Sequence, residues 1–121
     1  MPSINENEVK LNELKGRSYK LLATRDILGC SNLCLGVSFF PPGEHAPGHI
    51  HEKEEEVVYC MEGSGELVID GKPEKLTPGT VVFMPPGSLH SVNNTGDKTI
   101  KLVYVFSPST RIGDYKDYDS K

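Results

Sequence analysis

The chain has 121 residues with 13 basic and 17 acidic side chains, a net charge of −4; this length suits one domain, and the charge gives no draw toward nucleic acid or anionic lipid. Twelve Gly and nine Pro residues exceed a background of roughly 12% for the two together. That excess is too small for a disordered chain and suits short strands joined by tight turns.

The first ten residues carry neither a basic segment nor an apolar one, so no signal peptide is expected. Residues 1–18 are polar apart from Val9, Leu11 and Leu14, whose spacing fits neither a helical stripe nor strict alternation. They are expected to form an N-terminal arm with one helical turn, available to pack on a partner. From Tyr19 the pattern changes to short apolar runs: Tyr19–Ala23, Leu33–Phe40, Val57–Met61, Glu66–Ile69, Thr80–Met84, Leu89–Val92 and Ile100–Phe106. Turn-forming clusters such as Pro41-Pro42-Gly43 and Pro85-Pro86-Gly87 separate them. Asp70-Gly71 lies between two runs and predicts a hairpin. Seven short strands at close spacing, without a ten-residue helix, predict an all-β sandwich or barrel over residues 19–110. The longest uncharged stretch, Ile27–Gly43, is broken by Gly29, Gly36, Pro41 and Pro42, which excludes a membrane span. Residues 111–121 read as a polar, frayed C-terminal tail. Cys30, Cys34 and Cys60 are an odd count and are expected to be reduced structural thiols of a cytoplasmic protein.

Three of the four histidines, His45, His49 and His51, fall within seven residues, and His90 follows Pro85-Pro86-Gly87. In a strand, residues i and i+2 project from one face about 6.5–7 Å apart. His49 and His51 can therefore lean onto one metal ion at about 2.0–2.2 Å. Glu56 opens the run Val57–Met61 after a charged turn, and a returning hairpin strand would carry its carboxylate to the same point. Taken singly, a His-x-His in a polar segment is usually a solvated coincidence, and a Glu among acidic neighbours a solvated turn. The surrounding framework changes that balance. The segments Gly43-x5-His49-x-His51-x4-Glu56-x6-Gly63 and Gly79-x5-Pro85-x-Gly87-x2-His90-x3-Asn94 resemble the two sequence motifs of the cupin superfamily. The resemblance covers about residues 33–106 and implies a small antiparallel β-barrel of jelly-roll type with a metal inside. Carried over position by position, it implies the ligands His49, His51, Glu56 and His90. Such a set suits one divalent transition metal per chain, Mn, Fe, Ni, Zn, Co or Cu, without choosing among them.

If Glu56 points inward, strand parity turns Val58, Cys60 and Glu62 inward as well. Val58 and Cys60 are then the expected substrate-pocket residues, Cys60 being either a soft contact or a small core residue. His45 shares the parity of His49 and is a candidate acid–base residue, unless Pro47-Gly48 breaks the alternation. Tyr104, in the last run, is a second catalytic candidate. Both faces of that run are apolar, so pattern does not say which is inside, and the outer face is expected to be covered by the arm or by a second subunit. A homodimer is the expectation, as the resemblance to small cupins also implies. The ligand-bearing strands offer little Lys or Arg, so the pocket's positive charge is expected mainly from the metal, against a polyphosphate ligand. The expected partner is a small oxygenated substrate: a carboxylate, a keto or hydroxy acid, or a sugar derivative. The leading reading is an enzyme, an isomerase, lyase or decarboxylase using Lewis-acid chemistry, or a dioxygenase with a redox metal. The competing reading is a non-catalytic metal-containing binding or sensor protein.

Overall fold

The computed structural model describes residues 3–109; the tail expected at 111–121 lies outside them. Among the described residues, ten strands, β1 to β10 in chain order, form two antiparallel sheets. One sheet has the order β1 (Asn12–Leu14), β2 (Arg17–Ala23), β3 (Cys34–Phe40), β10 (Ile100–Ser107), β5 (Glu55–Glu62), β8 (Val81–Met84). The other runs β4 (His45–Ile50), β9 (Leu89–Asn93), β6 (Gly65–Ile69), β7 (Lys72–Leu76). The fold is the all-β jelly roll that the sequence predicts, built as two facing sheets rather than one closed barrel.

Alternation explains which faces meet. On β10, Ile100, Leu102, Tyr104 and Phe106 are buried, which settles the inner face of a strand that is apolar on both sides. On β5, Glu56, Val58 and Cys60 are buried while Val57, Tyr59 and Met61 are exposed. Glu62, expected inward, is exposed instead, because the β5–β10 register shifts between Lys101 and Leu102 at that strand end. The inner face of the six-stranded sheet packs Leu21, Phe40, Val58 and Leu102 against Ala46, Leu67, Leu76 and Val92 of the other sheet in one core cluster. Asp70 and Gly71, with φ of 48° and 83°, turn β6 into β7 in the two-residue hairpin expected there.

The apolar-run pattern does not pick out β1, β4 or β7, although the His49–His51 spacing reads as strand and Asp70-Gly71 as a hairpin turn. β4 and β7 are the edges of their sheet and contain Pro47 and Pro73, which an edge strand tolerates because one side needs no ladder donor. β1 is short and half-buried. The arm expected over residues 1–18 is therefore shorter: residues 12–14 and 17–18 belong to the six-stranded sheet. The expected helical turn is a 3-10 turn at Glu6–Glu8, capped by the Asn5 side chain. It is tied down by the chain's own sheet. Lys101 Nζ lies 3.0 Å from Glu6 Oε1 and 5.6 Å from the centre of the Phe39 ring, and Lys20 Nζ donates to the Glu6 carbonyl at 2.8 Å. Among the described residues, no helix is long and apolar enough to cross a membrane.

Candidate metal centre

His49 and His90 are cross-strand partners in the β4–β9 pair. Glu56 comes from the opposite sheet, paired with Phe106 of β10, and His51 follows the end of β4. The four side chains thus meet between the sheets. Gly87 N donates to the His51 carbonyl at 2.8 Å, and Ser88 Oγ to the Pro85 carbonyl at 2.7 Å. These bonds tie the Pro85-Pro86-Gly87 turn to the chain carrying His51. Asn94, the last position of the second motif, is buried; its Nδ2 donates to the carbonyls of Phe40 and Lys98, both at 2.7 Å, and its Oδ1 accepts from Gly96 N at 3.0 Å. It is a structural staple that holds the loop after β9.

One nitrogen from each histidine and one Glu56 oxygen all lie within 4.8 Å of one another. His51 Nε2 and His90 Nε2 stand 3.3 and 3.4 Å from Glu56 Oε1. Donors held at 2.0–2.2 Å from one ion are separated by about 3–4.4 Å, so closing on an ion needs shifts of tenths of an ångström. Glu56 Oε1 and His90 Nε2 are buried without a hydrogen-bond partner. Leaving each such atom unsatisfied costs about 1–3 kcal/mol, and a bound cation would offset that cost. The residues fit a metal ion.

Burial, reinforced by the charge of Arg17 and by His90 and His51, holds His49 far below the ordinary imidazole pKa. Burial also lowers His51, against the opposing pull of Glu56. Both rings are therefore neutral near pH 7, which is the form that ligates, and the approach of His51 to Glu56 is not an ion pair. The His51 ring also stacks on Phe106, with centroids 5.1 Å apart, and Phe106 stacks on Tyr104 at 6.0 Å. This row of rings along β10 orients His51.

Beside the donors lies a small cavity. Its polar lining is Arg17, Ser38 and Tyr104 together with His49, Glu56 and His90, and apolar walls come from Phe40, Val58 and Met84. Its free volume is about 20 Å³, against roughly 10–15 Å³ for one water molecule.

A sequence model of the cupin domain matches residues 36–106. The chain belongs to the cupin superfamily. Protein SchB of Streptomyces halstedii is 31% identical over 102 residues, spanning 84% of this chain and 74% of SchB. Polyketide synthase CurC of Streptomyces cyaneus is 29% identical over 105 residues, 87% of this chain and 68% of its own. The solved structure of the polyketide cyclase RemF from Streptomyces resistomycificus superimposes with a TM-score of 0.77 at 25% identity, covering 99% of this chain and 89% of that one.

In this cupin the structure groups the four expected ligands, and Val58 and Tyr104 line the cavity beside them. The expectation for His45 is corrected. The β4–β9 register shifts between Ala46 and His49, so Pro47-Gly48 do break the alternation and Ala46, rather than His45, is turned inward. His45 is exposed, with Nδ1 2.9 Å from Asn93 Oδ1. Cys60 is also corrected as a pocket residue. It is fully buried away from the cavity, with Sγ 3.5 Å from the Glu62 carbonyl, and burial raises its thiol pKa. Cys34, pushed up to about 12 by burial, is likewise an unreactive core thiol. Arg17 was missed, and with it a positive charge in the pocket that does not come from a metal. Reading Lys15-Gly16 as a two-residue turn would have placed Arg17 on the same strand face as Leu21.

Proposed function

We propose that this cupin binds one divalent transition-metal ion through His49, His51, Glu56 and His90 and is an enzyme acting on a small carbonyl- or carboxylate-bearing substrate. The observation that carries this reading is the convergence of four donors, two of them buried without hydrogen bonds, beside a cavity with a mixed polar lining. A divalent ion in such a site supplies Lewis-acid polarisation of substrate oxygen, and a redox-active one supplies dioxygen chemistry. Polarising a carbonyl acidifies the adjacent C–H, a first requirement shared by isomerisation, cyclisation and elimination, and provides the electron sink that decarboxylation needs. The names of CurC and RemF support a carbonyl-rich substrate. Tyr104 offers the hydroxyl that returns a proton to substrate carbon or oxygen, its ring kept in place by Phe106 and by the space over Gly36. Phe40, Val58 and Met84 keep bulk water from the reacting atoms.

The test follows solvent deuterium into the C3 position of pyruvate and 2-oxobutyrate by proton NMR, with metal content measured in parallel. Metal-loaded protein is expected to exchange these protons faster than the same metal in buffer. His90→Ala should lose both metal and exchange. Tyr104→Phe should keep the metal and slow exchange by about 10²-fold or more. One ion per chain, with neither exchange nor oxygen uptake across a panel of keto and hydroxy acids, would overturn the enzyme reading in favour of a metal-containing binding protein.

We also infer a homodimer. Val57, Tyr59 and Met61 of β5 and Val81 and Phe83 of β8 are exposed on the outer face of the six-stranded sheet. They form one patch, because Val57 pairs with Phe83 and Tyr59 with Val81. The arm covers the other side of that face, near Phe39 and Lys101, which leaves this patch for a second copy.

A further inference from the structure

Of the four donors, His51 is the one that no strand carries. It stands immediately after β4, its carbonyl held by Gly87 N at 2.8 Å. Stacking on Phe106 fixes the plane of its ring. A plane does not fix the edges: a half-turn about the Cβ–Cγ bond keeps the same stack and exchanges Nδ1 with Cδ2 and Nε2 with Cε1. One of those two settings aims Nε2 at the other donors, and the other aims a carbon there.

The charged turn after His51 holds a group that separates the two settings. Glu52, Lys53 and Glu55 are exposed, as solvated turn residues are, while Glu54 is half-buried. Its Oε1 lies 3.7 Å from His51 Nδ1, and at the far side of the same ring Nε2 lies 3.3 Å from Glu56 Oε1. The imidazole thus stands between two carboxylates, one at each nitrogen. Both carboxylates accept and neither donates, and a neutral imidazole carries one proton. With that proton on Nδ1, Nε2 and Glu56 Oε1 present lone pairs to the same space, which a cation reconciles. Glu56 Oε1 accordingly has no hydrogen-bond partner. The gap to Glu54 exceeds a hydrogen bond of about 2.9 Å, and a small rotation of the turn side chain closes it. Nδ1–H becomes a stronger donor once Nε2 ligates a cation, which draws the carboxylate inward. We infer that Glu54 is a positioning residue for the metal centre: its carboxylate accepts the Nδ1–H of His51 and so sets the edge and the tautomer that present Nε2 as a ligand. This deepens the metal-site reading and rests on it.

Zinc affinity, measured by competition with a chromophoric chelator, tests this in wild type, Glu54→Gln and Glu52→Gln, with circular dichroism as the check on folding. Glu54→Gln is expected to weaken zinc binding about tenfold or more, whereas Glu52→Gln, the same loss of charge in the exposed part of the turn, should stay within about twofold of wild type. The second readout is proton–nitrogen NMR of zinc-loaded protein labelled at histidine. In wild type the His51 Nδ1–H proton should be protected from exchange with water and shifted downfield, and in Glu54→Gln it should move upfield. Loss of that proton to rapid exchange in zinc-loaded wild type overturns the inference without recourse to any variant. So does zinc affinity within about twofold of wild type in folded Glu54→Gln. An equal loss in Glu52→Gln also overturns it, because net charge and not the contact would then be responsible. Wild type that takes up no zinc is a separate result, which overturns the metal reading and the role of Glu54 with it.

Discussion

Burial does two things to His49 and His51: it removes their water and keeps them neutral. An unfolded histidine takes up a proton near pH 6.5, while His49 and His51 in the folded chain do so only at lower pH. Between those values the unfolded state binds more protons, so stability is complete above about pH 6.5 and is lost progressively as pH falls below it. Urea unfolding of chelator-treated protein should therefore give a constant midpoint from pH 8 to 7 and a falling one from pH 6 to 5. A midpoint that rises on acidification would contradict neutral, buried rings. His49, His51 and Glu56 were readable because their spacings are local, one residue between the two histidines and a hairpin reach to Glu56, whereas His90 entered through the resemblance to the second cupin motif. His45 was misread because the Pro47-Gly48 bulge that reverses its direction shows only in the pairing with β9. Arg17 was overlooked because it lies in the polar stretch 1–18 expected to be an arm, where a charge looks like surface.

Strands with a regular inner face announced themselves, the edge strand β8 among them, and strands without one did not. β5 and β10 alternate buried and exposed side chains over most of their length, whereas β7 buries Leu76 alone. With one buried residue there is no period to detect. Pairing between neighbouring strands also sets tolerances that a single strand hides. Gly36 of β3 is the register partner of Tyr104 on β10, and a Cβ there would collide with the Tyr104 ring and approach the Lys20 carbonyl. Gly36→Ala is expected to destabilise the fold by about 1–3 kcal/mol and to displace the Tyr104 hydroxyl from the cavity. Denaturant unfolding reads the first effect, and the deuterium-exchange rate of metal-loaded protein reads the second. Wild-type values for both would show that the ring has room to move.

Across the molecule, charge and apolar surface are distributed unevenly. The arm is pinned to one half of the outer sheet by the Glu6–Lys101 contact, while Val81 and Phe83, 59% and 52% exposed, stand uncovered on the other half. If a second copy covers them, light scattering at micromolar concentration should give twice the chain mass. Phe83→Glu combined with Val81→Lys should then give the single-chain mass with an unchanged circular dichroism spectrum. A wild-type chain that runs as a monomer at those concentrations removes the dimer.

The architecture and the metal-binding set were written in short-range order: strand alternation, turn residues between the runs, and two motifs whose glycines, prolines and histidines lie within a few residues of one another. Each of those signals depends on neighbours along the chain, and the two motifs became a ligand set through their resemblance to a known family. Assignment of the inner face of β10, rejection of His45 and Cys60 as cavity residues, and recruitment of Arg17 required contacts between segments far apart in sequence. The packing of Gly16 against Ala46 and of Tyr104 over Gly36 exists only once the two sheets and their registers have formed. The charge inside the cavity follows from those contacts, because it depends on which side chains the closed sandwich encloses.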